Sequence, residues 1–204
     1  ELFIIVILNY LKTNTMKKLL IVLLILAVNS LAYSQSYVKS FSKDIALYQA
    51  KFYLINEVFG QEKEDYKKFS ITPLAASKSS ELTAVYYESF SSDKRGLILG
   101  FYDDYWTQGS TYKGFGFRNF DYDSAIKLLN KIERINSDEK KFLRQLDNTN
   151  TNNISFSFED MIVIIYKDDN LSGRIRIQWN DFDAEWENTA FRRTKRRFEK
   201  AMDN

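Results

Sequence analysis

The stretch from residue 16 to 35, MKKLLIVLLILAVNSLAYSQ, has the layout of a secretory signal peptide. Lys17 and Lys18 precede a ten-residue apolar run, and Ala32 and Ser34 supply small residues where signal peptidase cleaves. The apolar run is shorter than the roughly 18 residues that a membrane-spanning helix needs, which favours a cleaved signal over an anchor. The sequence therefore predicts export, with cleavage near Ser34 and a mature chain in the periplasm or outside the cell that does not span a membrane.

Residues 1–15 precede this segment and contain a second, shorter apolar run. Because a signal peptide has no use for an apolar block ahead of its positive region, we interpret residues 1–15 as an upstream extension of the gene. The competing interpretation is a second membrane-anchoring segment. Residues 16–34 are then the signal peptide, and residues 35–204 are predicted to form a single domain that can bury a core of its own.

The composition of the mature part excludes several kinds of chemistry. Residues 35–204 carry 26 basic and 26 acidic side chains, so they are net neutral and give no reason to expect a nucleic-acid partner. The whole chain has no cysteine and no histidine. Thiol nucleophiles, serine–histidine pairs and zinc sites built on these residues are therefore excluded, and we expect no metal and no cofactor.

The apolar pattern predicts an α+β fold, in which an antiparallel sheet of about six to seven strands is packed by helices. An N-terminal helix, a central helix pair and a C-terminal amphipathic helix provide the packing. The predicted helices cover residues 43–59, a segment capped by Asp121 or Asp123, a short segment from Ser137, and residues 182–202. The predicted strands cover residues 69–74, 81–90, 96–106, 112–120, 154–158, 161–166 and 174–179.

Two details of this pattern make further predictions. Pro73 lies in the first strand and favours an edge position, because proline has no N–H to give to a neighbouring strand. Runs of strands followed by a helix occur twice, and short similar triplets at 119–121 and 180–182 would mark two equivalent strand-to-helix junctions. The sequence thus gives a weak indication of an internal duplication.

Three motifs with possible chemistry favour structural roles. Serine followed three residues later by lysine occurs at four unrelated places, without the further motif of serine–lysine acyl enzymes, and is ascribed to chance. The segment from Asp168 to Gly173 matches half of a calcium loop, but Trp179 stands where the bidentate glutamate belongs, which favours a hairpin turn. Four carboxylates at 181, 183, 185 and 187 would point to different sides of the predicted helix and favour its dipole instead of binding a metal.

One segment, residues 101–120, has the character of a ligand-binding surface. Aromatic rings next to carboxylates can stack on a sugar or a peptide while the acids accept its hydrogen bonds. We expect Phe115 and Phe117 to face the core and the remaining rings to lie near the turn at 107–110. The candidate ligand-binding residues are Tyr102, Asp103, Asp104, Tyr105, Trp106 and Tyr112, with a carbohydrate or a peptide as partner.

The last helix carries a dense basic segment, with Arg192, Arg193, Arg196 and Arg197 as a candidate basic patch. We expect this face to be mainly solvated, because a helix that begins with acids and ends with bases has the polarity that its dipole favours. Taken together, the sequence predicts an exported, non-enzymatic binding or interaction module. The alternatives are a carboxylate-dependent hydrolase and a binder of anionic surfaces through the last helix.

Overall fold

The computed structural model describes residues 46–60, 66–107, 110–147, 150–168 and 170–202. They form two four-stranded antiparallel sheets with four helices, so the predicted α+β class is confirmed. The prediction of one sheet of six to seven strands is wrong. Within the described residues, the first four strands pair only with one another and the last four only with one another, and two helices and a two-stranded ribbon lie between them in the sequence.

The first sheet is a simple meander preceded and followed by helices. Helix α1 covers residues 46–53 and continues into a π-helical turn, Leu54–Val58. The strands are β1 (Phe69–Ala76), β2 (Leu82–Ser89), β3 (Arg95–Thr107) and β4 (Ser110–Asp121), in the order β1-β2-β3-β4. Pro73 lies on edge strand β1, where the register shifts between Pro73 and Ala75, so its predicted edge position is confirmed.

A helical segment follows the first sheet, as the sequence predicts. Helix α2 (Tyr122–Asp138) begins after Asp121, whose carboxylate accepts a hydrogen bond from the backbone N–H of Ser124 at 2.8 Å. Helix α3 covers Lys140–Leu143, and the short strands β5 (Leu146–Asp147) and β6 (Asn150–Thr151) pair with each other. The predicted central helix pair is therefore confirmed.

The second sheet repeats the meander and again ends in a helix. Its strands are β7 (Ile154–Phe158), β8 (Met161–Lys167), β9 (Gly173–Trp179) and β10 (Phe182–Glu187), in the order β10-β9-β8-β7, and helix α4 covers Asn188–Met202. The architecture of four strands and a helix thus occurs twice. The two triplets in the sequence are not equivalent, however: Asp121 caps α2, whereas Asn180 and Asp181 form the turn between β9 and β10.

The predicted start of the last helix, at residue 182, is wrong, because the helix begins at Asn188. Residues 182–187 pair with β9 in regular register, from Phe182 opposite Trp179 to Glu187 opposite Arg174. Asn180 has a φ of 50°, a left-handed conformation that asparagine tolerates in tight turns, and it lets the chain reverse at once. Trp186 and Ala190 are both buried and four residues apart, which mimics a helical stripe although the first of them belongs to a strand.

The main core lies between the two sheets and the helices α2 and α4. On β3 the side chains of Leu97, Leu99 and Phe101 face it, and on β9 those of Ile175 and Ile177. Helix α2 adds its buried apolar face and α4 adds Ala190, Phe191 and Phe198. The buried stripe predicted for the C-terminal helix is therefore confirmed for its helical part.

Helix α1 covers the opposite face of the first sheet and forms a second, smaller cluster. Leu54 and Phe59 pack there against Val85, Tyr87 and Ile98. Large apolar residues at helical spacing from Ile45 to Phe59 predict a buried stripe on this helix. Phe59 is buried as predicted, but Tyr48 is 58% exposed and Phe52 is 46% exposed. The buried face instead consists of Ala46, Ala50 and Leu54, because small residues let the helix approach the sheet closely.

Candidate functional site

The proposed aromatic surface lies on a long hairpin formed by β3 and β4. The pairing is continuous from Gly96 opposite Asp121 to Thr107 opposite Ser110, so the predicted turn is confirmed. Tyr105 stands opposite Tyr112 in this register, Trp106 opposite Thr111, and Asp103 opposite Gly114. The side chains of Asp103, Asp104, Tyr105, Trp106 and Tyr112 lie outside the described part of the structure, so only their backbone positions are given.

Four described rings form an aromatic row along this hairpin: Tyr53, Phe117, Phe115 and Tyr102. The ring centroids of Tyr53 and Phe117 are 5.6 Å apart, and those of Phe117 and Phe115 are 6.1 Å apart with nearly parallel planes at 11°. Tyr102 stacks on Phe115 at 4.7 Å, since the two residues are direct partners across the hairpin. All four rings are half-buried. The row therefore leads from α1 along the hairpin towards its tip.

Phe115 and Phe117 are expected to face the core, but they lie on the face of the first sheet that is turned away from the main core. Phe117 packs against the small cluster under α1, whereas Gly116 faces the main core. The ring of Phe182 lies over Gly116, and a Cβ atom at that position would be 2.3 Å from it. Glycine is needed here because any side chain would displace the Phe182 ring. Phe117 thus packs beside α1, and Phe115 lies next to it, further along the hairpin.

The acidic segment at 181–187 does not lie on a helix. Asp183, Glu185 and Glu187 alternate along β10 with the buried Ala184 and Trp186, so all three acids share the outer face of the second sheet. The sequence interpretation excluded convergence by assuming a helix, and that premise is wrong. Their partners are basic residues on the neighbouring strand: Arg176 binds Asp183 at 2.6 Å, and Arg174 binds Glu185 at 2.9 Å.

The outer face of the second sheet is therefore a hydrogen-bonded charge network. Tyr166 donates a hydrogen bond to Glu185 at 2.7 Å. Burial and this bond to an anion raise the pKa of Tyr166 to about 12. Glu187 is buried and accepts two hydrogen bonds from the backbone N–H of Lys78, at 2.9 and 3.1 Å. These carboxylates are used to hold strands together.

The segment from Asp168 to Gly173 is the turn between β8 and β9, as predicted. One carboxylate oxygen of Asp168 accepts hydrogen bonds from the backbone N–H groups of Asn170 and Ser172, at 3.1 and 2.8 Å. The other oxygen binds Arg174 at 2.8 Å. The hydrogen bond from Arg174 is the largest of the effects that lower the pKa of Asp168. Both oxygens are thus engaged within the turn.

A surface cleft gathers four carboxylates at another place, where α1, the β2–β3 turn and the start of α2 meet. This acidic cleft has a volume of about 470 Å³ and is lined by Glu57, Asp93, Asp121 and Asp123, with Tyr87 and Asn119 among its other residues. Burial raises the pKa of Tyr87 to about 12, and a hydrogen bond from Asn119 opposes that rise. The cleft also contains Lys94 and Arg95. Sequence reasoning missed it because its acids come from distant segments.

The basic patch lies on α4, and its four arginines differ in their surroundings. Arg192, Arg193 and Arg196 are exposed and line a cleft of about 470 Å³ beside Glu133 of α2. Arg197 donates a hydrogen bond to the backbone carbonyl of Leu74 on β1 and does not line that cleft. The structure thus brings three of the four predicted residues together.

Comparisons with known proteins identify no relative. No protein-family model, no curated protein and no solved structure matches this chain. Among the described residues, no helix is both long enough and apolar enough to cross a membrane. The described part of the chain also contains no group of three or more acidic side chains placed to hold a metal ion.

Proposed function

We propose that this protein is an exported, non-enzymatic binding module that holds a carbohydrate on the hairpin of β3 and β4. The observation that carries the proposal is the aromatic row, in which Tyr102 stacks on Phe115 at 4.7 Å and Phe117 follows Phe115 at 6.1 Å. The parts of these half-buried rings that stay exposed offer apolar aromatic surface to the apolar faces of sugars. Asp103 and Asp104 follow directly in the chain and add acceptors for sugar hydroxyl groups.

The position of the row also supports this function. Rings in the interior of the sheet pack against α1 or the main core, but Phe115 and Tyr102 lie on the part of the hairpin that leads away from α1. Further aromatic residues occur at 105, 106 and 112, closer to the turn of the hairpin. A rigid two-stranded scaffold holds these positions in fixed register, which lowers the entropy that binding must otherwise overcome.

The test is a binding panel of neutral polysaccharides, measured by affinity electrophoresis. Tyr102→Ala and Trp106→Ala should each weaken binding at least tenfold, because stacking energy of about 1.4 kcal/mol corresponds to that factor. Tyr66→Ala is the matched control, since Tyr66 is 65% exposed and precedes β1, at the opposite edge of the sheet. If no polysaccharide binds, or if an extended peptide binds in its place, the carbohydrate assignment is wrong.

Export is part of the proposal and has its own measurement. The signal-like layout of residues 16–34 motivates it. Intact-mass spectrometry of the secreted protein should give a chain that begins at Gln35. A mature chain that retains residues 16–34 would contradict export by cleavage and would indicate an anchored protein.

The alternative, a carboxylate-dependent hydrolase, is supported by the acidic cleft. General acid–base chemistry needs two carboxyl groups that face one space, and this cleft is lined by four. If the hydrolase proposal holds, Asp93→Asn combined with Asp123→Asn should abolish turnover of a glycoside or ester substrate and leave binding at Tyr102 unchanged. Loss of polysaccharide binding on Tyr102→Ala without any turnover by the wild type favours the binding module.

A further inference from the structure

Helix α4 carries positive charge that the fold does not explain. From Asn188 to Met202 it has six basic residues, and Glu199 is its one acid. The sequence interpretation balanced these bases against four acids at the helix start, but three of those acids belong to β10 and Asp181 lies in the turn before it. The first turn of α4 contains no acid, and its last turn contains one base, Lys200. The helix dipole therefore favours Lys200 alone, because its effect is confined to the terminal turns.

The bases of α4 fall into two groups. Lys195 binds Glu133 at 3.1 Å and also binds Glu199, and Arg197 binds the carbonyl of Leu74. Burial disfavours the charged form of Lys195, but the hydrogen bonds to these two acids outweigh it and raise its pKa. Both acids at this cleft are thus engaged by Lys195. Within the described residues, the side chains of Arg192, Arg193 and Arg196 make no hydrogen bond or ion pair.

These three arginines form one concave surface, which we call the arginine cleft. They line it together with Thr189 and the Lys195 ion pairs. Arg192 and Arg196 are four residues apart and therefore neighbours on the helix, where like charges repel. An anion placed between them would remove this repulsion and gain charge-assisted hydrogen bonds from two planar guanidinium groups.

The apolar face of α4 decides between a membrane and a soluble polyanion. A helix that binds at a bilayer surface inserts its apolar side chains into the boundary between headgroups and acyl chains. In α4 those side chains, Ala190, Phe191 and Phe198, are 5% exposed or less because they belong to the main core. The exposed side of the helix offers charge without apolar surface, which fits a hydrated anionic polymer.

We propose that the arginine cleft binds a sulfated or phosphorylated polysaccharide through Arg192, Arg193 and Arg196. Sulfate and phosphate esters present the oxygen geometry that guanidinium groups bind in pairs. This surface is separate from the aromatic row, which lies on β3 and β4 and is expected to take neutral sugars. The two proposals can therefore fail independently.

The test uses the whole mature protein on immobilised heparin and, in solution, with dextran sulfate. The variant Arg192→Gln, Arg193→Gln, Arg196→Gln removes the three guanidinium charges of the arginine cleft. The matched control, Lys51→Gln, Lys68→Gln, Lys141→Gln, removes the same charge from exposed lysines on other elements. Wild type and control should elute from heparin above about 0.15 M salt, whereas the arginine variant should elute below it. Dextran sulfate should raise the melting temperature of the wild type and control, and leave that of the arginine variant unchanged.

Each other outcome overturns the proposal. Equal retention of the wild type and the arginine variant would show that the cleft does not bind, and equal loss in the lysine control would show a net-charge effect. Co-sedimentation with phosphatidylserine vesicles at about 0.15 M salt, as strong as heparin binding, would make a lipid surface the partner. Stronger retention on single-stranded DNA than on heparin would make nucleic acid the partner. Unchanged circular dichroism of both variants shows that each is folded.

Discussion

The two four-stranded sheets share one topology but differ in what covers them. In β2 of the first sheet nearly every side chain is buried, because α1 covers one face and the main core the other. In β8 of the second sheet burial alternates, and Ile162 on the outer face is 47% exposed. Ser155 and Ser157 are exposed on the same outer face, which also carries the network of Arg174 and Glu185.

This difference shows that a helix packed on one face of a sheet determines which side chains that face can accommodate. Apolar and aromatic contacts with α1 stabilise the outer face of the first sheet. On the outer face of the second sheet, ion pairs connect β9 and β10. Ion pairs at exposed positions contribute about 0 to 1 kcal/mol each, much less than a buried apolar side chain. The first sheet should therefore be the more sensitive to single substitutions.

The largest expected effect compares isoleucines on central strands of the two sheets. Ile98 of β3 is fully buried under α1, and Ile162 of β8 is 47% exposed. Ile98→Ala should lower the free energy of unfolding by about 2 to 5 kcal/mol, and Ile162→Ala by less than about 1 kcal/mol. Denaturant unfolding of both variants measures this. Equal losses would mean that the outer face of the second sheet is covered in the native protein.

The next prediction concerns two tyrosines whose pKa values share a main cause but differ in the contribution of a neighbouring carboxylate. Burial is the main cause that raises the pKa values of Tyr87 and Tyr166 to about 12. The carboxylate of Glu185 contributes to this rise at Tyr166 but not at Tyr87. Glu185→Gln should therefore lower the pKa of Tyr166 and leave that of Tyr87 unchanged, as followed by NMR of labelled tyrosines. A shift at both residues, or at neither, would contradict the role of the Glu185 carboxylate.

The sign of the linked effect on stability follows from these pKa values. A tyrosine whose pKa is raised in the folded state contributes stability that is fully present below its unfolded pKa of about 10. This contribution is lost as the pH rises through the folded pKa of about 12. The protein should therefore become less stable between these two values, and Tyr166→Phe should reduce that loss.

A smaller change in the free energy of unfolding is expected from a substitution on α4, the helix that packs on the core between the two sheets. Thr194 is fully buried, and its hydroxyl group has no hydrogen-bond partner among the described residues. Thr194→Val keeps the shape and removes a buried polar group, so it should raise the free energy of unfolding by about 1 kcal/mol. Thr189→Val on the exposed side of the same helix is the control and should change it by less than about 0.5 kcal/mol. A loss of stability in Thr194→Val would show that the hydroxyl is bonded.

Much of the first half of the fold could be predicted from local patterns. The turn at 107–110 and the edge position of Pro73 depend on residue chemistry that acts within a few positions. The face of α1 could not be predicted, because large apolar residues usually pack inside. Here Ala46 and Ala50 allow close approach to the sheet and leave Tyr48 exposed.

The error at 182–187 had a signal that could have corrected it. Asp183, Glu185 and Glu187 alternate in the sequence with Ala184 and Trp186, and Arg174 and Arg176 alternate on the preceding strand. Opposite charges at alternating positions on both sides of a two-residue turn are typical of a hairpin. The three arginines of the arginine cleft belong to the predicted basic patch, but the sequence could not show that Lys195 engages the nearby Glu133 and Glu199.

The most direct test of the central claim is a map of where a bound oligosaccharide perturbs backbone amide NMR signals. The probe is the neutral oligosaccharide that corresponds to the tightest binder of the polysaccharide panel. Perturbations should cluster on β3 and β4 around Tyr102 and Phe115 and should be absent from the outer face of the second sheet around Arg174 and Tyr166. Perturbations confined to that outer face, with none on the hairpin, would contradict the account.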